Sequence, residues 1–126
     1  MLEAGGFRLY HSGDTSFGRH FAMIREAFPT IDLALLEDGQ YDEDWPGVHL
    51  LPPAWRRAAL ALAPRAVMPI HNSKFCISHH PWKDPLENAV RTAGELGLTL
   101  ATPLIGEPVA LDPALRPVFH HWWERV

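Results

Sequence analysis

An α/β layered sheet with the element order βαβαβαββ is predicted by three features of this 126-residue sequence. Short apolar segments with strand patterning alternate with segments of helical spacing, and proline or glycine falls at most of the boundaries between them. Chemistry-bearing side chains gather after the strands, while the loops after helices are short and nearly free of them. The composition agrees with one ordinary globular unit, at 47% hydrophobic and 21% charged residues. Twelve prolines, about twice the usual ~5% share, cut the chain into short elements. With no repeat, low-complexity tract or linker, residues 1–126 are read as a single unit.

The elements follow in order. Residues 7–11 alternate as a strand does, and Ser12-Gly13-Asp14-Thr15 ends them. Phe21, Ile24 and Phe28 recur at helical spacing over residues 18–28, which Pro29 closes. Residues 31–36 are nearly continuously apolar, the pattern of a strand covered on both faces. A long acidic loop over 37–53 leads to an Ala/Leu-rich helix over 54–63, with Pro53 at its start and Pro64 at its end. Residues 66–70 form the third strand, and a second long loop covers 71–83. Asp84 reads as the N-cap of the next helix, with Pro85 at the first position, Glu87 at the reciprocal capping position and Gly97 as the stop. Residues 98–101 and 108–111 read as two further strands before a proline-broken tail.

Several classes are excluded. The single cysteine, Cys76, cannot form an intrachain disulfide and reads as a small buried hydrophobe, and no apolar run approaches the ~18 residues of a membrane span. The opening residues have neither a basic leader nor an apolar core, so a cytoplasmic, soluble protein is expected. At a net charge of -4 with scattered Lys and Arg, no nucleic-acid footprint is expected. Eight histidines remain to be explained.

In open α/β sheets, ligand sites lie beyond the carboxyl ends of the strands. His11, Ser12, Asp14 and Thr15 follow the first strand; Glu37, Asp38, Gln40, Tyr41, Asp42 and His49 follow the second; His71, Asn72, Lys74, His79 and His80 follow the third. If the three strands are neighbours, Asp14, His49 and His71 converge on one rim as a candidate metal or acid/base site, with donor types that suit a borderline divalent ion such as zinc. Each also has a plainer reading: Asp14 as an Asx-turn or helix cap, His71 as a hydrogen-bonded strand-end histidine, His49 as packing beside Pro52. His120 and His121 are expected to be exposed or stacked on Trp122 and Trp123.

Four segments carry a family resemblance: Tyr10-His11-Ser12-Gly13-Asp14-Thr15, the strand at 31–36, Pro69-Ile70-His71-Asn72-Ser73-Lys74-Phe75, and Thr102-Pro103-Leu104-Ile105-Gly106-Glu107. Together they resemble the metallo-β-lactamase superfamily, and within it the branch of N-acylphosphatidylethanolamine phospholipase D and the ascorbate-phosphate lactonases. The likeness covers almost the whole chain but only the carboxyl-terminal half of that family's αββα sandwich. It implies that Asp14 bridges two metal ions, that His71 binds the second, and that His49 lies at the substrate and assists proton transfer or binds an anionic group. It further implies that Gln40, Tyr41 and His79 line the same mouth. Zinc is the implied metal, and the implied substrate is a small-molecule or lipid phosphoester or lactone.

The His-x-His-x-Asp-His signature of that superfamily, which supplies most of its metal ligands, is absent from this sequence. The resemblance therefore implies a partial domain, residues 1–126 without the amino-terminal half, with weak or no hydrolase activity alone because affinity depends on ligand number and support. One uncovered sheet face is expected to seek the missing half or a second copy. Two functions are thus open: part of a metal-dependent hydrolase of phosphodiesterase or lactonase type, or a non-catalytic remnant or subunit that binds a partner through the uncovered face.

Overall fold

The computed structural model describes residues 1–110, 112 and 119–126. Among the described residues, a five-stranded sheet and three α-helices make up the fold. Strand β1 (Leu2–Ala4) turns into β2 (Phe7–His11), followed by α1 (His20–Ala27), β3 (Leu33–Glu37), α2 (Pro52–Leu62), β4 (Ala66–Ile70), α3 (Asp84–Leu96) and β5 (Thr99–Leu100). A 3-10 turn at Trp122–Arg125 ends the chain. The spatial order β1-β2-β3-β4-β5 is the chain order; β1 pairs antiparallel with β2, and every later pair is parallel. Successive right-handed crossovers that always step the same way leave all their helices on one side of a sheet.

The packing fits that topology. Register sets Tyr10 beside Ala34 and Ala34 beside Val67, and these three join Leu36 in a core with Phe21 of α1, Trp55, Ala58, Ala59 and Leu62 of α2, and Ala89 of α3. The buried positions of α2 recur at helical spacing, so its sequence pattern dictates which face meets the sheet. Trp55 is 1% exposed, and the roughly 3 kcal/mol gained by burying its rings is partly offset by its indole N–H, which is buried without a partner. The alternate strand positions, Phe7, Leu9, Leu35, Met68 and Ile70, point away from the helices and stay half-buried.

Four sequence expectations are corrected. β1 was not anticipated; it is three exposed residues long and exists because Gly5 and Gly6 both take positive φ, the backbone that a tight hairpin demands. No strand forms over 108–110, where Pro108 lacks the N–H a ladder needs, and residue 111 lies outside the described residues. Asp84 is already helical and makes no side-chain cap; Lys83 is the cap residue, and the Asp84 N–H bonds the Pro81 carbonyl. Cys76 is exposed rather than buried. The stop at Gly97 is as expected, with φ of 64° and its N–H on the carbonyls of Ala93 and Gly94. His121 stacks on the buried Trp123 at 4.9 Å between centroids. Among the described residues, no helix is long and apolar enough to cross a membrane.

Candidate metal centre

Asp14 and His71 are placed by the ends of parallel strands, and His49 by the start of α2. The Ser12 N–H bonds the Leu35 carbonyl, continuing the β2–β3 ladder one residue past the strand, and the Ser12 Oγ accepts the Glu37 N–H at 3.0 Å. Gly13 then turns the chain with φ of 62°, its N–H held by His11 Nδ1, and Asp14 emerges at the rim. His71 follows β4 directly, in a left-handed conformation at φ 66° that a non-glycine residue adopts at a cost. His49 precedes Leu50-Leu51 and the Pro52 start of α2, and is buried.

These three meet. One donor atom from each of Asp14, His49 and His71 lies within 4.8 Å of the others. His71 Nε2 is 3.6 Å from Asp14 Oδ1, and the His49 and His71 ring centroids are 5.3 Å apart. Two tetrahedral donors each ~2.1 Å from one zinc ion would be ~3.4 Å apart, so the Asp14–His71 spacing suits a shared cation better than a direct hydrogen bond. Burial, then the neighbouring His71, lowers the His49 pKa, with Asp14 partly opposing; this favours the neutral ring, the form that ligates metals.

Behind the rim, two acids from the end of β3 are fully enclosed. Glu37 Oε1 accepts the Leu50 N–H at 2.6 Å, and its Oε2 lies 3.3 Å from His49 Nδ1. Burial, with a further contribution from the Asp14 charge, raises the Glu37 pKa to about 7 against the opposing Leu50 hydrogen bond. Burial and then the Glu37 charge push Asp38 up as well. Both acids stand among the residues after the second strand, yet only their burial, which a run of polar letters does not reveal, sets them apart, and Glu37 alone of the two reaches His49.

The expected lining residues lie to one side. Gln40 is buried and braces the His71 loop: its Nε2 donates to the carbonyls of His71 (3.2 Å) and Phe75 (2.7 Å), and its Oε1 accepts the Ile77 N–H (2.9 Å). Tyr41 accepts a hydrogen bond from Asn88 and stacks on His80. The Asp42 carboxylate receives the N–H groups of His79 (2.8 Å) and Asp44 (3.1 Å), which lower its pKa. His79, its side chain 78% exposed, lies 3.0 Å from Asp42. Tyr41 and His79 line a cleft of about 880 Å³ with Phe17, Pro46, Arg57 and His80. Asp14, His49 and His71 are not on its wall; His71 instead borders a smaller cavity of about 280 Å³ with Met68 and Ile70. The large cleft is therefore beside the donor cluster, not around it.

A carboxylate and two imidazoles gathered at one rim of a mostly parallel sheet make a donor set that could hold a metal ion in an α/β protein, and the comparisons place it in a family. The β-lactamase superfamily domain pattern matches residues 1–72. The chain belongs to that superfamily. It is 34% identical over 119 residues to an uncharacterized protein of Mycobacterium tuberculosis, across 92% of this chain and 32% of that protein. Similarity to a UPF0173 metal-dependent hydrolase of Thermococcus onnurineus is 32% identity over 71 residues, 56% of this chain and 29% of the relative. The fold matches the metallo-β-lactamase fold protein YhfI from Bacillus subtilis with a TM-score of 0.54 and 16% identity, covering 76% of this chain and 36% of that one. The chain thus spans about a third of the length of these curated relatives.

Proposed function

We propose that this chain carries part of the metal centre of a hydrolase that acts on a phosphodiester, a phosphate-bearing lactone or a similar ester. The observation that carries the reading is the convergence of Asp14, His49 and His71, three metal-type donors from the loops after β2, β3 and β4, within 4.8 Å. Asp14 and His71 would hold a divalent ion, with zinc as the proposed metal, and His49 would complete the triplet or face the substrate. Such an ion supplies Lewis-acid polarisation and an activated water. Around it, the chain's own residues orient the donors: Ser12 positions the Asp14 loop, Gln40 the His71 loop and Glu37 the His49 segment.

Three donors are a minimal set, and further ligands are proposed to come from a polypeptide segment that covers the half-buried face of Leu9, Leu35 and Met68. The same proposal places the protein in the cytoplasm and its substrate in the phospholipase D-like or lactonase class, which the short motifs around Asp14 and His71 support. Zn²⁺ titration of the purified chain tests it, read by calorimetry beside Asp14→Ala and His71→Ala. Both side chains are substantially exposed, at 67% and 40%, so the variants should fold normally while losing at least tenfold in affinity. Equal Zn²⁺ binding by all three proteins sinks the reading. Turnover of a chromogenic phosphodiester by the chain alone should be weak or absent.

A second reading, a non-catalytic module, is favoured by the same open sheet face. It predicts a partner-binding chain whose partner affinity is indifferent to Asp14→Ala.

A further inference from the structure

We propose that Glu37 is a positioning residue for His49, holding its ring with Nδ1 protonated and Nε2 free for the cluster with Asp14 and His71. This deepens the metal-centre reading and rests on it for its functional consequence. Glu37 is the last residue of β3 and 0% exposed. One of its oxygens anchors the Leu50 N–H at 2.6 Å, fixing the backbone immediately after His49. Its other oxygen lies 3.3 Å from His49 Nδ1.

Glu37 Oε2 and His49 Nδ1 are both buried without a hydrogen-bond partner of normal geometry, and the Thr15 N–H also stabilises the Glu37 carboxylate. A buried carboxylate oxygen and a buried ring nitrogen left without partners are each unfavourable, and a small rotation of the ring toward the acid removes both penalties. A carboxylate only accepts, so the nitrogen facing it must carry the hydrogen, and neutral imidazole has only one. Nε2 is then the atom that His49 can offer to a cation or to a substrate proton. A mere staple of the loops needs only the backbone N–H groups of Leu50 and Thr15. The second oxygen, turned to the ring, is what distinguishes positioning from stapling.

The test is nitrogen NMR of the metal-free chain labelled at histidine, at pH 8, with His49→Gln to assign the resonance. The expected wild-type ring carries its hydrogen on Nδ1. In Glu37→Gln the side-chain carbonyl keeps the Leu50 hydrogen bond while the amide NH₂ faces Nδ1, so the ring should invert to the Nε2–H form. Zn²⁺ affinity should then fall about tenfold or more, the usual effect of losing a partner that orients a ligand. A wild-type ring that is Nε2–H or averaged between forms overturns the proposal, as does an unchanged Nδ1–H ring in a folded Glu37→Gln. Should that variant not fold, the wild-type spectrum decides alone. Because the spectrum is taken without metal, a correctly held ring in a chain that takes up no Zn²⁺ would reject the metal-centre reading and leave the role of Glu37 standing.

Discussion

Gly39 and the carbonyl of His71 are in such close approach that a Cβ at position 39 would lie 1.6 Å from His71 O and 2.7 Å from the Asn72 Cα. The Asp38 N–H bonds the Ile70 carbonyl just before this point, so the ends of β3 and β4 are drawn together by a ladder that only glycine permits to continue. Gly39→Ala should therefore destabilise the chain by about 3 kcal/mol, the upper range for overpacking, because backbone and not a flexible side chain must yield. His71 would move with it, and Zn²⁺ binding should weaken even where the protein stays folded. Chemical denaturation and calorimetry measure the two effects, and a variant as stable as wild type would show that the contact is not close.

Gln40 should matter to the loop more than to the core. Its three hydrogen bonds tie the β3 end to the carbonyls of His71 and Phe75 and the N–H of Ile77, across more than thirty residues of sequence. Gln40→Ala leaves those backbone groups without a partner, at roughly 1–3 kcal/mol for each group that water cannot reach. Amide hydrogen exchange should accelerate over residues 71–80 while β3 and β4 keep their protection. Uniform acceleration throughout the sheet would mean that Gln40 supports the whole fold instead.

Much of this architecture is legible in the letters because local signals agree with the global pattern. The strand at 66–70 was placed to the residue, and α2 and α3 to within a few, since Pro52, Pro53, Pro64 and Gly97 mark their ends and a 3.6-residue apolar period fills them. β1 escaped because three exposed residues bury too little to leave a periodicity; only the Gly5-Gly6 pair announces it. In the centre, Asp14, His49 and His71 follow from donors gathered at strand ends. The roles of Glu37, Gly39 and Gln40 do not, because each depends on a contact with a residue far along the chain. Cys76 shows the same limit, since its exposure is set by a loop whose path Gln40 and Asp42 determine.

Glu37 should give stability a distinctive pH dependence. Its folded pKa is raised from 4.5 to about 7, so between those values the folded state holds a proton that the unfolded chain has released. Its contribution is therefore most favourable below pH 4.5 and is lost as pH rises through 7. The span of about 2.5 pH units corresponds to ~3 kcal/mol. Glu37→Gln has no such titration, so the stability of wild type relative to the variant should fall by about that amount from pH 4 to pH 8. Urea denaturation at a series of pH values measures the difference, and a constant difference contradicts an ionisation held back by burial.

The open sheet face makes the last prediction. Leu35 pairs with Met68 and Leu9 with Leu33 on the side opposite the helices, in a row that Phe7 and Ile70 extend. Leu33 in this row is buried and the others are half-buried, so the row offers a continuous, partly accessible apolar surface, and large patches of that kind are rare on stable monomers. The chain alone should associate with concentration and bind an apolar dye. Leu35→Lys with Met68→Lys should suppress both while leaving the helical circular dichroism intact, because neither side chain belongs to the core under the helices. Sedimentation is the decisive measurement: a wild-type chain that stays monomeric and ignores the dye would mean that the face is already adequately covered by its own half-buried packing, and that no further polypeptide is needed there.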